Sequence, residues 1–461
     1  MRSASIAVRN LLRNRRRSVT TLLAMIVGAL AVLLFGGFSH MVKDGLETGF
    51  VRNSGHLQIQ HRGYYLFGSG NPAAYGIRDY ARIIEQVKAD PVLAPMLTVV
   101  TPILQMGGIA GNFAAERSKT VFATGYVVAD QNRLHEWNDY RFPAPPRYSA
   151  LTDSNPDAAV IGLGVARILE LCAPLNIPNC PLPEDTSARS GASMPADIAA
   201  LTGGEPVASP QEQTRIELLV ATAQGLPNVG ELHVLKAESL GIKELDDVYV
   251  AMHLASAQQL VFGRQPHQAT AVILQLQHTD QIPAARTQLQ QLLDREFGQD
   301  KLEIQDFGAL NPMYGQTITF FNTIFTFIAL LIGVIVLFTV GNTMSTAVVE
   351  RTVEIGTLRA MGLRRSGVRD LFVLEGLILG VIGALVGVAA SIAAAALINH
   401  AGVYWTPPGR VERIPLTLDV AGAKALLLGC AVGLTIVATV SAWLPARRAA
   451  RLNIVEALRH V

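Results

Sequence analysis

Four stretches of the chain carry almost no charge, and each is long enough to cross a bilayer. Ser18 to Val42 contains 25 residues without a charged side chain, whereas a helix rising about 1.5 Å per residue needs only about 20 to cross a hydrocarbon core of about 30 Å. The second stretch lies in the charge-free run after Asp306 and is centred on Thr323 to Val340. The third runs from Leu371 to Ile398 and the fourth from Ala425 to Leu444. A cleaved signal peptide is the rival reading of the first, but its apolar region would be only about 7 to 15 residues. Over all 461 residues, 50% are apolar and 16% charged. That average hides a segregation, because Lys43 to Asn311 has the mixed composition of a soluble domain. The expected architecture is an α-helical membrane protein with four transmembrane helices and a large α+β extracytoplasmic domain between helices 1 and 2.

Orientation follows from the Lys and Arg in the short flanks. The first 17 residues hold six Arg, and the link between spans two and three holds Arg351, Arg359, Arg364, Arg365 and Arg369. The tail adds Arg447, Arg448, Arg451 and Arg459, while the link between spans three and four has only Arg410, Arg413 and Lys424. Both termini are therefore expected in the cytoplasm and the large domain outside it. The Arg clusters lie directly beside apolar spans, so they set topology and give no nucleic-acid-binding face. In residues 1–17, Ala4, Val8, Leu11 and Leu12 recur at helical spacing among Arg2, Arg9, Arg13 and Arg16. This predicts an amphipathic helix on the cytoplasmic membrane surface, the alternative being an unfolded basic leader.

Between Lys43 and Asn311 the alternation of apolar residues predicts strands at 99–105, 120–128, 158–162, 216–221, 270–276 and 302–307. Helical spacing marks 77–88, 164–171 and 284–297. Seven prolines between Pro174 and Pro210 predict a surface excursion over about 172–215. Cys172 and Cys180 flank its start. A disulfide across that loop is feasible in an oxidising compartment and would contribute roughly 2–3 kcal/mol. Two free thiols are the alternative. Cys430, inside the fourth span, reads as an apolar packing residue.

Span three carries Gly376, Gly380, Gly383 and Gly387, and span four Gly429 and Gly433. Such small-xxx-small pairs let helix backbones approach closely, either within this chain or against a second one. Glu375 lies about one turn inside span three, within reach of interfacial water or an Arg of the adjacent link.

No catalytic motif stands out in the sequence. There is no phosphate-binding Gly-x-x-x-x-Gly-Lys-Ser/Thr loop, no His-Glu-x-x-His and no Gly-x-Ser-x-Gly elbow. The ten histidines lack metal-ligand spacing. A strand meets a helix at Gly162-Leu-Gly164, but Arg167 stands where a dinucleotide fingerprint needs a small residue, so a plain glycine turn suffices.

The link between spans two and three reads Val349-Glu350-Arg351-Thr-Val-Glu354-Ile355-Gly356-Thr-Leu358-Arg359-Ala360-Met361-Gly362-Leu-Arg364-Arg365, followed by Leu374-Glu375-Gly376. This closely resembles the permease subunits of MacB/FtsX/LolC-type (type VII, mechanotransmission) ABC transporters. The likeness extends to the tail, Pro445-Ala-Arg447-Arg448-Ala449-Ala450-Arg451-Leu and Glu456-Ala457-Leu458-Arg459. Gly55-His56-Leu57-Gln58-Ile59 is similar to the lipoprotein-releasing LolC/LolE-like branch. Asn453-Ile454 departs from the Asp-Pro common among relatives, and the Pro-rich stretch is longer than in that branch.

The resemblance implies residues 43–317 as a MacB-like periplasmic core and 318–461 as an FtsX-like permease domain. It also implies a coupling helix at about 350–365 that docks on a separate cytoplasmic ATPase dimer through Glu350, Arg351, Glu354, Ile355, Gly356, Leu358, Arg359, Met361 and Gly362. Ile355, Leu358 and Met361 recur at three-residue intervals, an apolar edge suited to such a groove. The chain itself is expected to hold no cofactor or metal and to be no enzyme, ATP and Mg being bound by that partner. A second permease chain, identical or not, is implied, as is an inner-membrane location among membrane lipids. The cargo expected is a lipoprotein, lipid or other hydrophobic molecule, with a periplasmic adaptor or carrier as a further partner. The alternative is an FtsX-like regulator that drives a periplasmic hydrolase. Phe35, Phe38, Phe320 and Phe321, at the outer ends of spans one and two, are the candidate cargo-facing residues.

Overall fold

The computed structural model describes residues 7, 9–10, 13, 15–68, 71–152, 154–178, 180, 213–406 and 413–452. In chain order the main elements are α1 (Arg15–Ser54), β1 (Leu57–His61), α2 (Tyr80–Ala89), β2 (Leu97–Asn112), β3 (Arg117–Tyr126), α3 (Val128–Glu136), β4 (Ala158–Gly162), α4 (Leu163–Ile168) and β5 (Arg215–Ala221). There follow β6 (Pro227–Glu238), β7 (Tyr249–His253), α5 (Leu254–Phe262), β8 (Ala271–Leu276), α6 (Ile282–Glu296), β9 (Leu302–Asp306), α7 (Pro312–Glu350), α8 (Thr352–Ala360), α9 (Arg365–His400) and α10 (Lys424–Arg451). They form two compact units. One comprises Met1–Gly45, Met313–Trp405 and Pro415–Val461, the other Leu46–Pro312 and Thr406–Ile414.

The first unit is a helical bundle. Helices α1, α7, α9 and α10 are each long and apolar enough to cross a membrane. At 40 and 39 residues, α1 and α7 run to about 60 Å, twice the thickness of the hydrocarbon core. The bundle packs around Met25, Ala29, Val336, Val340, Leu379 and Ala438. The glycines of α9 serve two neighbours in turn. A Cβ added to Gly376 would lie 2.5 Å from that of Ala442, and one on Gly380 would lie 3.1 Å from that of Ala438, both on α10. Added to Gly383 it would lie 2.9 Å from Met25 Sδ, and to Gly387 2.5 Å from Ala29 Cβ, both on α1. Only residues without a side chain permit this approach. Around Gly429 and Gly433 nothing lies within 4 Å. The glycines of α9 thus pack within the chain, whereas those of α10 meet none of the described residues.

The second unit has a nine-stranded sheet ordered β3-β7-β4-β6-β5-β2-β8-β1-β9. The 16-residue β2 explains its shape, because its two halves have different neighbours. Leu97–Ile103 pairs with β8, while Gly108–Gly111 pairs with β5 and Ile103–Asn112 with β3. Since β3 also begins the other side of the sheet, the ladder β2-β3-β7-β4-β6-β5 returns to β2 and closes. The remaining strands follow the order β2-β8-β1-β9, connected through α2 and α6 as a split βαβ pair. Its core joins Leu57, Ile59, Val272 and Leu274 to Ile83 and Val87 of α2 and to Leu289 and Leu292 of α6. The closed part has its own core of Leu104, Met106, Val121, Ile161, Leu218, Val234 and Met252.

The structure adds to the expected elements. The six predicted strands and three helices coincide with β2, β3, β4, β5, β8, β9, α2, α4 and α6, with shifted ends. Strands β1, β6 and β7 and helices α3 and α5 were not foreseen. β1 reads Leu-Gln-Ile-Gln-His, and its glutamines are buried along with Leu57 and Ile59, so polarity disguised it. β6 starts with Pro227 and contains Gly230, two residues that argue against a strand. Helix α2 begins only at Tyr80 because Ile77 pairs as a bridge with Ala269. Gly162 admits the backbone of Asp246 at a distance no side chain allows, which is the structural role expected of that turn. Cys172 and Cys180 are joined in a disulfide. The predicted leader positions Ala4, Val8, Leu11 and Leu12, and most of the Pro-rich excursion, lie outside the described residues.

The passage from α1 into the sheet runs through Gly55 and His56. Gly55 has φ +68, and a Cβ there would meet Ile273 and the Leu274 carbonyl. His56 is fully buried. Its Nδ1 accepts the Leu276 N–H at 2.9 Å, its Nε2 faces Thr279 Oγ1 at 3.3 Å, and the ring meets Trp137 edge-on. Burial lowers its pKa from 6.5 to about 3. A group that protonates more readily unfolded than folded favours folding above its unfolded pKa and opposes it below. As the pH falls below 6.5, this unit should lose stability, by about 2 kcal/mol at about pH 5. His56→Phe should flatten the acid limb of a denaturation-versus-pH series, and an unchanged limb would assign the acid sensitivity to other groups.

Candidate coupling site

The link between α7 and α9 is a short helix held on three sides. α7 ends at Glu350, and Arg351, at φ −107 and ψ 19, breaks the helix before α8 begins. α8 ends where Gly362 takes φ +98, a conformation that favours glycine. Gly362 N–H donates to the Arg359 carbonyl at 3.0 Å, and Leu363 N–H donates to that of Leu358 at 3.1 Å, closing the C-terminus as a glycine cap does. The expected single helix over 350–365 is therefore nine residues long, with a turn at each end.

Underneath, Ile355 inserts among Val348, Val368, Phe372, Ala446, Ala449 and Ala450. This corrects the expected apolar edge. Ile355 is 3% exposed and Gly356 is buried, Leu358 is half-buried, and only Met361, at 71%, faces outward. A nine-residue helix is too short to stand by itself, so it must bury one stripe against α9 and α10, and Ile355 belongs to that stripe. The outward apolar residues are instead Val349, 72% exposed, Val353 and Met361. Val353 and Thr357 lie one turn apart on α8 with Met361 just past its end, and Val349 is on the last turn of α7. Sequence reasoning missed Val349 and Val353 because a three-residue count through Ile355 selected the opposite stripe.

Ion pairs tie the same segment to its surroundings. Arg351 lies between two carboxylates, 3.1 Å from Glu354 and 3.0 Å from Glu375, with its guanidinium over the Phe372 ring. Asn10 donates a further bond to Glu375 at 2.7 Å. Glu375, which the sequence placed within reach of an Arg of the link, thus has that partner. Arg13 pairs with Glu354, and Arg17 makes a two-pronged contact with Glu350. Burial alone would raise the pKa of Glu354, but hydrogen bonds from Arg351 and Arg13 outweigh it and hold the carboxyl below its ordinary range. Arg359 reaches the Leu452 carbonyl. Glu350, Arg351, Glu354 and Arg359 are thus engaged inside the chain.

A second group of expected residues also comes together. Phe38 contacts Phe35, Phe321 and Trp405 with ring centres 6.4, 5.9 and 5.1 Å apart, and Phe35 stacks on Phe325 at 6.5 Å. Phe320 joins through Phe321 at 5.9 Å. Phe325 and Trp405 were not foreseen, although Phe325 follows Phe321 by one helical turn. Among the described residues no group of His, Cys, Asp or Glu is placed to hold a metal.

Four apolar helices with an inserted α/β unit and a short ion-paired helix between the second and third fit a membrane permease with an extracytoplasmic domain. Residues 323–454 match the FtsX-like permease C-terminal family, and the chain is similar to MacB and LolC components of ABC transporters. It is 23% identical over 471 residues to the macrolide export ATP-binding/permease protein MacB of Rhodopirellula baltica, covering 99% of this chain and 62% of that protein. It is 26% identical over 251 residues to the lipoprotein-releasing system transmembrane protein LolC of Neisseria meningitidis, covering 52% of this chain and 58% of the relative. The chain thus spans less than two thirds of the length of either. It is also similar to the crystal structure of the periplasmic region of MacB from Actinobacillus actinomycetemcomitans, with TM-score 0.31 and 11% identity, covering 57% of this chain and 94% of that one.

Proposed function

We propose that this chain is the membrane subunit of an ABC transporter in which a separate cytoplasmic ATPase dimer docks on α8 and drives the periplasmic domain. Both termini then lie in the cytoplasm and a second permease chain completes the pair. The observation that carries this reading is the build of α8. It is buried on one side by Ile355, tied on its flanks by Arg13, Arg17 and Arg351, and left apolar outward at Val353, with Val349 and Met361 exposed just before and after it. An amphipathic helix so fixed offers a groove-binding face and passes displacement to the bundle rather than swinging freely.

The work done is the extraction or export of a lipoprotein, lipid or other hydrophobic cargo, handed to a periplasmic carrier or adaptor. The aromatic group of Phe35, Phe38, Phe321, Phe325 and Trp405 supplies an apolar surface for such a cargo, with Phe320 exposed beside it. ATP binding needs to favour one arrangement of the spans by a few kcal/mol to shift the population decisively.

Affinity purification from native membranes in mild detergent tests the reading. An ATPase should co-purify with the wild type, and Val353→Asp with Met361→Asp should reduce its recovery about tenfold or more, since buried unpaired charges at an interface cost several kcal/mol. A hydrolase in place of a carrier would assign the same stroke to regulation of a cell-wall enzyme. Undiminished recovery of the ATPase would move its docking face elsewhere.

A further inference from the structure

We infer that α1, rather than α7, carries the stroke from the coupling helix to the external sheet, with Arg13 and Arg17 as positioning residues at one end and Arg52 and Gln275 at the other. The inference rests on the relay proposed above and assigns its path.

At the input end, the segment opening α1 is tied to the coupling site at three points. Arg17 grips Glu350, Arg13 grips Glu354 and Asn10 holds Glu375. These partners lie at the end of α7, on α8 and on α9, so a displacement of any of them reaches the start of α1. From there α1 continues as one unbroken helix to Ser54.

At the output end the last turns of that helix are bound into the sheet. Arg52 donates through Nε to the Trp137 carbonyl at 2.7 Å and through Nη1 to that of Ala144 at 3.1 Å. Gln275, on β8 between β2 and β1, is fully buried. Its Nε2 donates to the carbonyl of Val51 at 3.3 Å and to that of Leu134 at 2.9 Å. Gln58 returns a bond to the Ser54 carbonyl at 2.9 Å, and His56 N–H bonds to Leu274. A buried glutamine amide that unites a helix end with a strand and a neighbouring helix leaves the end of α1 no independent motion, because slippage would strand polar groups out of water.

The exit to α7 is built differently. After β9 the chain makes one helical turn, Phe307–Leu310, then a non-helical Asn311 at φ −124 and ψ 78, and Pro312 opens α7. Helical hydrogen bonding is interrupted there, so bending at Asn311 costs far less than bending within α1.

The test uses the permease with its co-purified ATPase in lipid nanodiscs. A dye on Ala114→Cys, in a Cys430→Ala background, reports energy transfer to rhodamine-labelled lipid on addition of MgATP. A Gly-Gly-Ser insertion between Gly45 and Leu46 in α1 should reduce the ATP-dependent change by about fivefold or more while ATP hydrolysis persists. The same insertion between Gly315 and Gln316 in α7 should leave most of it. Arg17→Glu should diminish the signal per ATP hydrolysed, and Arg17→Glu with Glu350→Arg should restore it. Equal loss from the two insertions, loss from the α7 insertion alone, or no rescue by the charge swap would overturn the assignment to α1. ATP hydrolysis without any change in the unmodified complex would instead overturn the relay and the inference with it.

Discussion

Arg351→Met should destabilise the helical unit by about 3 kcal/mol, the usual cost of leaving one member of a buried ion pair without its partner. The side chains of Arg351 and Glu375 are only 11% and 4% exposed, and after the change Glu375 would keep only the bond from Asn10. Loss of Arg351 also leaves Glu354 with the Arg13 contact and removes the cation over Phe372. α8 would then be held by Ile355 and by the contacts of Glu354 with Arg13 and of Arg359 with the Leu452 carbonyl. Thermal unfolding of the purified protein in detergent gives the stability change, and ATPase recovery gives the coupling change. Arg351→Met combined with Glu375→Leu should recover most of the stability, since an apolar pair of similar size does not leave a buried charge. It should not recover coupling, because the tie to Glu354 remains broken. A single-variant loss below about 1 kcal/mol would mean that the pair behaves as a solvated one.

The second large effect is expected at the glycines of α9. Gly376→Leu and Gly387→Leu would each force a side chain into a space where a Cβ alone already lies 2.5 Å from a neighbouring Cβ. Helices α9 and α10 in the first case, and α9 and α1 in the second, would have to separate. Overpacking of this kind costs about 1–3 kcal/mol or more, enough to lower the yield of folded protein sharply. Gly429→Leu and Gly433→Leu meet open space and should change the unfolding midpoint of the single chain little. The contrast is read directly in a comparison of the four variants. Destabilisation at Gly429 equal to that at Gly376 would show that another chain covers that face of α10.

Much of this was legible from residue order alone. Charge-free windows define membrane helices wherever they fall, because no backbone or side-chain charge is readily left in hydrocarbon. The four long helices accordingly lie where those windows predict. The link motif was visible too, as was the reach of Glu375 to an arginine. What failed was the face of the coupling helix. A repeat of Ile355, Leu358 and Met361 is apolar whichever way the helix turns, and which stripe is buried depends on α9 and α10, distant in sequence. The same limit applies to Gln58, Gln275 and His56. As residue types they suggest a surface, yet each is buried with hydrogen-bond partners supplied by other elements.

The sequence by itself determined the four long apolar helices, the inserted α/β unit and the likeness of the permease segment, since these depend on local hydropathy, periodicity and an ordered motif. Tertiary structure alone decided that β2 serves both a split βαβ unit and a closed ladder, that α9 divides its glycines between two helices, and that Arg13 and Arg17 reach Glu354 and Glu350. Each of those outcomes is a pairing between segments far apart in the chain. Such a pairing depends on shape and on the distance between partners, which no local pattern encodes.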